Sequence, residues 1–450
     1  MKKLLLLLLT LLVLIGLSSC EGDGKNVINV WSFTDEVPNA LMRFKEMNPD
    51  FPYDFNVTII ATTEGAYQPA LDQALVAGGK RAPDIFTAEA AFVLKYTQGE
   101  LSNRAMPYKN LGIDVDNQLR AAQIATYVHE IGTRPSDNQV VGLAFQNTGS
   151  GLIYRRSIAR DVFGTDDPAR ISSIVGPGWD KYLSAAAQLK AKGYSIASGE
   201  GDIWQVIRNT ATQSYVVNGK LYLDPAREAF LDVAKAMFDN DYTNRTGAWS
   251  DAWFADMAGT GARPVFGFLG PAWLINYVMI NNVQGTFGDW AVAVPPVPFS
   301  WGGTWIIANQ QGNASVRDGV KTVLEWLTLD SSNTGFQYMF ANGNLYEGSA
   351  AFPDKAKDFA DGKFAKDAVA SGTVMSRSDG TLAILGGQNM YDVFIPAGAN
   401  AKGDFFSAYD ETISQLFNDQ VQLYINGTKT REQAIADWRQ NVVDILDIQQ

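Results

Sequence analysis

Three apolar stretches alternate with two helical ones soon after residue 25, and that alternation restricts the fold more than any other feature of the chain. Residues 26–33, NVINVWSF, bring β-branched Val27, Ile28 and Val30 up to Trp31 and Phe33 and read as a buried strand. ALMRFKEMNPDF then places Leu41, Phe44 and Met47 at helical spacing. DFNVTIIATT is a second strand, AYQPALDQALVAGG a helix closed by Gly78 and Gly79, and APDIFTAEA a third strand. This order predicts a parallel sheet with helical crossovers. Such sheets take ligands beyond the carboxyl ends of their strands. Those ends carry Trp31, Phe33, Asp35 and Glu36, then Thr62, Thr63 and Glu64, then Thr87 and Glu89, a rim of aromatic and acidic groups. Because strand side chains alternate, one of Trp31 and Phe33 is expected on the cleft and the other in the core. Asp84, at the start of the third strand, is expected to make a structural hydrogen bond.

The first twenty residues, MKKLLLLLLTLLVLIGLSSC, have the basic start, apolar segment and small-residue site of a secretory signal peptide. An apolar run of about 14 residues is short of the roughly 20 that span a bilayer as a helix, so an uncleaved anchor is the weaker reading. The ending L-S-S-C resembles a bacterial lipobox, in which the cysteine is acylated and becomes the new N-terminus. Cys20 is the one cysteine in 450 residues. Residues 1–19 are therefore expected to be a lipoprotein signal peptide and 20–25 a lipidated linker, with acyl chains such as palmitate holding an exported domain at a membrane surface.

Composition narrows the chemistry. Net charge is -12, or -14 without Lys2 and Lys3, which is a poor balance for binding nucleic-acid phosphates. His129 is the single histidine, so a catalytic triad or a multi-histidine zinc site has almost nothing to be built from. No phosphate-cradling glycine motif is present. No cofactor and no metal are expected. Carboxylate chemistry or simple binding remains.

A second unit begins near QVVGLAFQNTGSGLIYRR, whose two extended pieces carry the chain into another lobe. APDIF (82–86), VVGLAF with GLIYRR (140–156), GWDKYLSAAAQLKAKG (178–193) and FGFLGPAW (266–273) follow one another along the chain. VAVPPVPFSWGGTWIIAN (292–309), VLEWLT (323–328), LGGQNMYDVF (385–394) and YINGTKTREQAIADW (424–438) continue the series. With these segments in this order the chain resembles extracellular solute-binding proteins of family 1, the carbohydrate ABC-transporter group that includes maltodextrin-binding protein. The resemblance implies an α/β, two-lobed periplasmic-binding-protein fold. Each lobe would be a mainly parallel sheet flanked by helices, with the ligand cleft between lobes. Residues 26–145 with 302–352 would form lobe 1, and 146–301 with 353–450 lobe 2. It also implies a monomeric, non-catalytic receptor that delivers a sugar to ABC permease subunits.

A pyranose offers apolar C–H faces to aromatic rings and a fringe of hydroxyls to Asp, Glu, Asn and Gln. Eleven tryptophans suit such a site. By the resemblance, Trp273 is delivered to the cleft by a Gly-Pro-Trp-like turn, here lengthened by Ala272, and Trp204 takes a stacking position. Of the two tryptophans flanking Gly302 and Gly303, Trp301 is expected at the ligand and Trp305 in the core. Asp35, Glu36, Glu64, Glu89, Gln146 and Gln388 fall on predicted rims or crossovers, where a solvated charge or cap is the competing role. Gln388 lies in a segment that the resemblance puts at the cleft, with Tyr391 adding an aromatic edge. A polyamine or another solute in the same fold, and a secreted glycosidase, are the alternatives.

Overall fold

Strand β1 (Val27–Ser32) alternates buried Ile28, Val30 and Ser32 with half-buried Val27, Asn29 and Trp31, as a strand packed more tightly on one face must. In this computed structural model, which describes residues 26–62, 65–360, 366–403, 407 and 409–449, β1 is an inner strand of a five-stranded sheet. It pairs in parallel with β2 (Asp54–Ile59) and β3 (Ile85–Glu89), with α1 (Glu36–Met47) and α2 (Tyr67–Ala77) as the crossovers. On α1, Val37, Leu41 and Phe44 recur at helical spacing and are buried. Phe44 meets Trp326 of α7 (Arg317–Thr328) at 4.9 Å between ring centroids. Asp84 accepts from the amides of Asn29 (2.8 Å) and Asn313 (2.6 Å), tying the far ends of the strands together.

The sheet continues through β8 (Thr304–Ala308) to β4 (Gly142–Ala144), and β8 runs against both neighbours. In the second lobe β5 (Gly151–Arg155) is flanked by β6 (Gly267–Gly270) and β7 (Trp290–Ala293), both antiparallel to it. Beyond β6, parallel bridges Ser195–Val265 and Ala197–Thr243 extend the sheet. Each lobe is thus mainly parallel in direction, with one reversed strand. The reason is topological. Chain leaves a lobe at the carboxyl ends of its strands, so a strand arriving from the other lobe enters at that same edge and runs backwards.

Three segments cross between the lobes. Residues 145–150 lie in the middle, bonded on one edge by Asn147 N to Ala368 O (2.9 Å) and Ala370 N to Phe145 O (2.7 Å). On the other edge Trp301 N donates to Thr148 O (3.1 Å) and Ser150 N to Phe299 O (3.0 Å). Past the third crossing the chain holds to the first lobe a little further: Ser371 Oγ donates to Ala122 O and Gly372 N to Gln123 O. One core fills the first lobe, with Phe86, Phe145, Trp305 and Phe336. Two fill the second, one around Trp204, Phe417 and Trp438 and one around Trp253, Trp290 and Phe394. Among the described residues no helix is long and apolar enough to cross a membrane.

Gly149 presses the central crossing strand onto α8 (Tyr391–Asn400): a Cβ there would lie 2.3 Å from Gly398 N. Since the obstacle is backbone, Gly149→Ala is expected to cost about 1–3 kcal/mol, read as a fall in melting temperature. An unchanged melting temperature would contradict this close approach.

Candidate functional site

At the end of the second crossing Trp301 forms a cluster of three indoles with Trp249 and Trp273. Gly302 and Gly303 have φ of +75° and +117°, values that glycine tolerates and other residues rarely adopt. A Cβ on Gly302 would meet Trp273 Nε1 at 3.2 Å, so the turn is bare where that ring lies across it. Trp273 Nε1 donates to Trp301 O (2.9 Å), and the two rings meet edge to face at 4.8 Å. Trp249 lies nearly parallel to Trp273 (6.2 Å, 9°), and it is 51% exposed with φ of +68°. An exposed indole on such backbone is uncommon. The residue after Pro271 that lengthens the turn is followed by a π-helical segment, Leu274–Met279, whose wider turns accommodate one extra residue.

Beside Trp301 a cavity of about 130 Å³ lies between the lobes, lined by Glu89, Tyr127, Arg208, Asp410 and Glu411 among others. It is smaller than the roughly 300–1,000 Å³ of a pocket for a drug-sized molecule. Arg208, just past α4 (Glu200–Ile207), pairs with Glu411 of α9 (Asp410–Ile425), and Asp410 pairs with buried Arg227 at 3.3 Å. Glu89 reaches the same space from the end of β3. Burial pushes its carboxyl up to about 7, and Glu411 adds to this, against the Ala91 amide and the Arg208 charge.

A second acidic group spans the junction. Asp367 precedes the third crossing and is 2% exposed; it accepts from Ala368 N (2.8 Å) and, more loosely, from Gln146 Nε2 (3.4 Å). Burial pushes it up to about 7. Glu36, the first residue of α1, is also raised, first by burial and then by the charges of Asp367 and Asp35, with Lys355 opposing. Its Oε1 is screened from solvent and has no hydrogen-bond partner; the same holds for Oδ1 of Asn276, on the π-helical segment after Trp273.

Of the residues expected at the site, Glu36, Glu89, Gln146, Trp273 and Trp301 stand at this junction. Asp35 is exposed and accepts from Asn39 Nδ2 (2.8 Å) at the start of α1. Trp31 and Phe33 do not divide between cleft and core. Residues two apart share a face of a strand, and both rings are half-buried against the first-lobe core. Trp204 is 4% exposed, packed between Phe230 and Phe417; its helix instead turns Gln205, with Arg208 and Asn209 just beyond, to the cavity. Gln388 is a strand surrogate: its amide exchanges two 2.8 Å hydrogen bonds with the backbone of Val292. Tyr391 is a core residue, its hydroxyl set between Ala341 O (2.6 Å) and Asp367 O (2.8 Å). Glu64 and Cys20 lie outside the described residues. Trp249, Arg208, Glu411, Asp367 and Asn276 were not expected here, and nothing in their local spacing marks them. The run of tryptophans between 201 and 260 was the one available hint to Trp249.

Comparison with known proteins bears on this junction. The profile of a family described as bacterial extracellular solute-binding protein matches residues 39–343. No curated protein matches at the level of sequence. Among solved structures, an extracellular solute-binding protein of family 1 superposes with a TM-score of 0.71 at 16% identity, over 93% of this chain and 99% of that one. The galacto-N-biose-/lacto-N-biose I-binding protein of Bifidobacterium longum gives 0.66 at 15% identity, over 95% and 98%. The sugar-binding protein MalE of Xanthomonas citri gives 0.65 at 14%, over 94% and 98%. At these identities the likeness is one of fold.

The raised carboxyl of Asp367 has a measurable consequence. Between an ordinary aspartate pKa of about 4 and about 7, the folded chain keeps a proton that the unfolded chain has released. Stability contributed there is therefore greatest at low pH and falls as pH rises through that window. Asp367→Asn is expected to gain on the parent by roughly 2–4 °C in melting temperature between pH 5 and pH 8. A difference that does not change with pH would contradict a buried, proton-holding Asp367.

Proposed function

The chain belongs to the family of bacterial extracellular solute-binding proteins, and we propose that it binds a mono- or oligosaccharide in the inter-lobe cleft and delivers it to the permease of an ABC importer. The observation that carries the sugar reading is the set of three indoles, Trp249, Trp273 and Trp301, gathered at the crossing segments beside amides and carboxylates. Indole faces cover the C–H faces of a pyranose, and the amides of Gln146, Gln205 and Asn209 both donate to and accept from hydroxyls. Glu36 and Glu89 come from the first lobe, and Trp273 and Trp249 from the second. A solute touching both sets would favour the closed arrangement over the open one, which is how binding becomes closure. Domain limits of 26–145 with 302–352 and 146–301 with 353–450 are part of this reading, as is export on a lipid tether at Cys20. The protein acts as a monomeric receptor and leaves its solute chemically unchanged.

Thermal unfolding of the full chain in detergent, against a panel of mono- and oligosaccharides with polyamines and amino acids alongside, tests the proposal. A solute that binds the folded form alone raises the melting temperature. One saccharide is expected to do so, to be recovered intact, and to bind about tenfold or more weakly to Trp273→Ala. A shift with polyamines alone, or release of smaller sugars, would overturn it. Labelled palmitate is expected in the parent chain and absent from Cys20→Ala; equal labelling would remove the lipid tether from the reading.

A further inference from the structure

We propose that the bound solute presents a protonated amino group to Glu36, Asp367 and Asn276, which makes it, on the sugar-binding reading above, an amino sugar or a saccharide that carries one. The three residues come from different parts of the chain: the start of α1 in the first lobe, the approach to the third crossing, and the segment after Trp273 in the second. Acceptors outnumber donors there. Glu36 Oε1 and Asn276 Oδ1 are buried with no hydrogen-bond partner, and Asn276 is 6% exposed. The Asn276 amide nitrogen donates to Lys366 O and also acts on Asp367, so its two hydrogens are directed to acceptors already present. Asp367 Oδ1 takes the amide of Ala368 at 2.8 Å, and beyond that the carboxylate has the loose 3.4 Å approach of Gln146 Nε2 and the side-chain amide of Asn276.

A hydroxyl brings one hydrogen and two lone pairs to such a place, and can satisfy one acceptor while adding more of its own. An alkylammonium brings three hydrogens and no acceptor. Charge points the same way. The charges of Asp367 and Asp35 both act on Glu36, and Lys355 is the cation that opposes them there. A neutral solute that closes the lobes leaves these carboxylates to hold protons. A cationic one lets them ionise and pairs with them.

The test compares glucosamine and galactosamine with glucose, galactose and the two N-acetylated sugars, by calorimetric titration of the full chain in detergent at pH 7.4. Spermidine and putrescine are included. At least one free amino sugar is expected to bind ten times or more tightly than its neutral and N-acetylated counterparts. Glu36→Gln and Asp367→Asn should each reduce that preference about tenfold without lowering the melting temperature, since each removes a buried acid. Equal binding of neutral sugars, or a preference for the amine that survives both substitutions, would overturn the inference and leave the sugar reading standing. Binding of spermidine or putrescine alone would uphold the ammonium site and remove the sugar. Failure of every amine-bearing probe to bind the folded chain would overturn the ammonium site.

Discussion

Residues 145–150 form the one strand that both lobes share, and the rest of the architecture is arranged around its two bonded edges. Its partners, 299–301 on one side and 368–370 on the other, are the remaining connections. Three short extended segments resist sliding, because each inter-segment hydrogen bond fixes register. They resist rotation much less, because twist in a narrow ribbon is spread over few residues. The reversed strands β5 and β8 follow from the same constraint, as do the bare turn at Gly302 and the close seat of Gly149 on α8. Each marks a point where chain from one lobe meets the edge of the other.

The electrostatics of the junction depend on that layer. With the lobes together, Glu36, Glu89 and Asp367 are withdrawn from water and held above the ordinary carboxylate range, chiefly by burial. Parted lobes would hydrate the two carboxyls that lie on the first-lobe rim. Apposition of the lobes therefore carries an unfavourable term at neutral pH, offset in part by the charge of Arg208 on the second lobe, which acts on Glu89 of the first. A solute that supplies hydrogens and apolar faces to this junction removes part of that term. Binding and closure are coupled through the same few side chains.

The sequence made the first lobe legible because local signals and global fold agree there: β-branched strands, helical repeats at 41, 44 and 47, and glycine stops. It also identified strand ends as the place for Glu36 and Glu89, since topology alone decides where a strand ends. It could not rank the tryptophans. Trp204 and Trp273 have similar local settings, and what separates them is whether Phe230 and Phe417 or a bare Gly302 lies opposite, a matter of tertiary packing. Gln388 and Tyr391 were misplaced for a related reason: polar and aromatic side chains that complete backbone hydrogen bonding look, in sequence, like ligand contacts. Arg208 meets Glu411 across 203 residues and Gln146 meets Asp367 across 221, beyond any local pattern.

Coupling of binding to closure requires relative motion of the two lobes about the crossing layer. Cys20 is the only native cysteine, so a Cys20→Ser chain with Met42→Cys on α1 and Ile445→Cys on α10 (Arg431–Leu446) takes two spin labels at exposed sites, one on each lobe. Pulsed electron–electron distance measurement, with and without the solute that raises the melting temperature, reads the motion directly. A broad distribution that narrows and shifts on saturation is the predicted result. Distributions that superpose in the two conditions would contradict a hinged cleft.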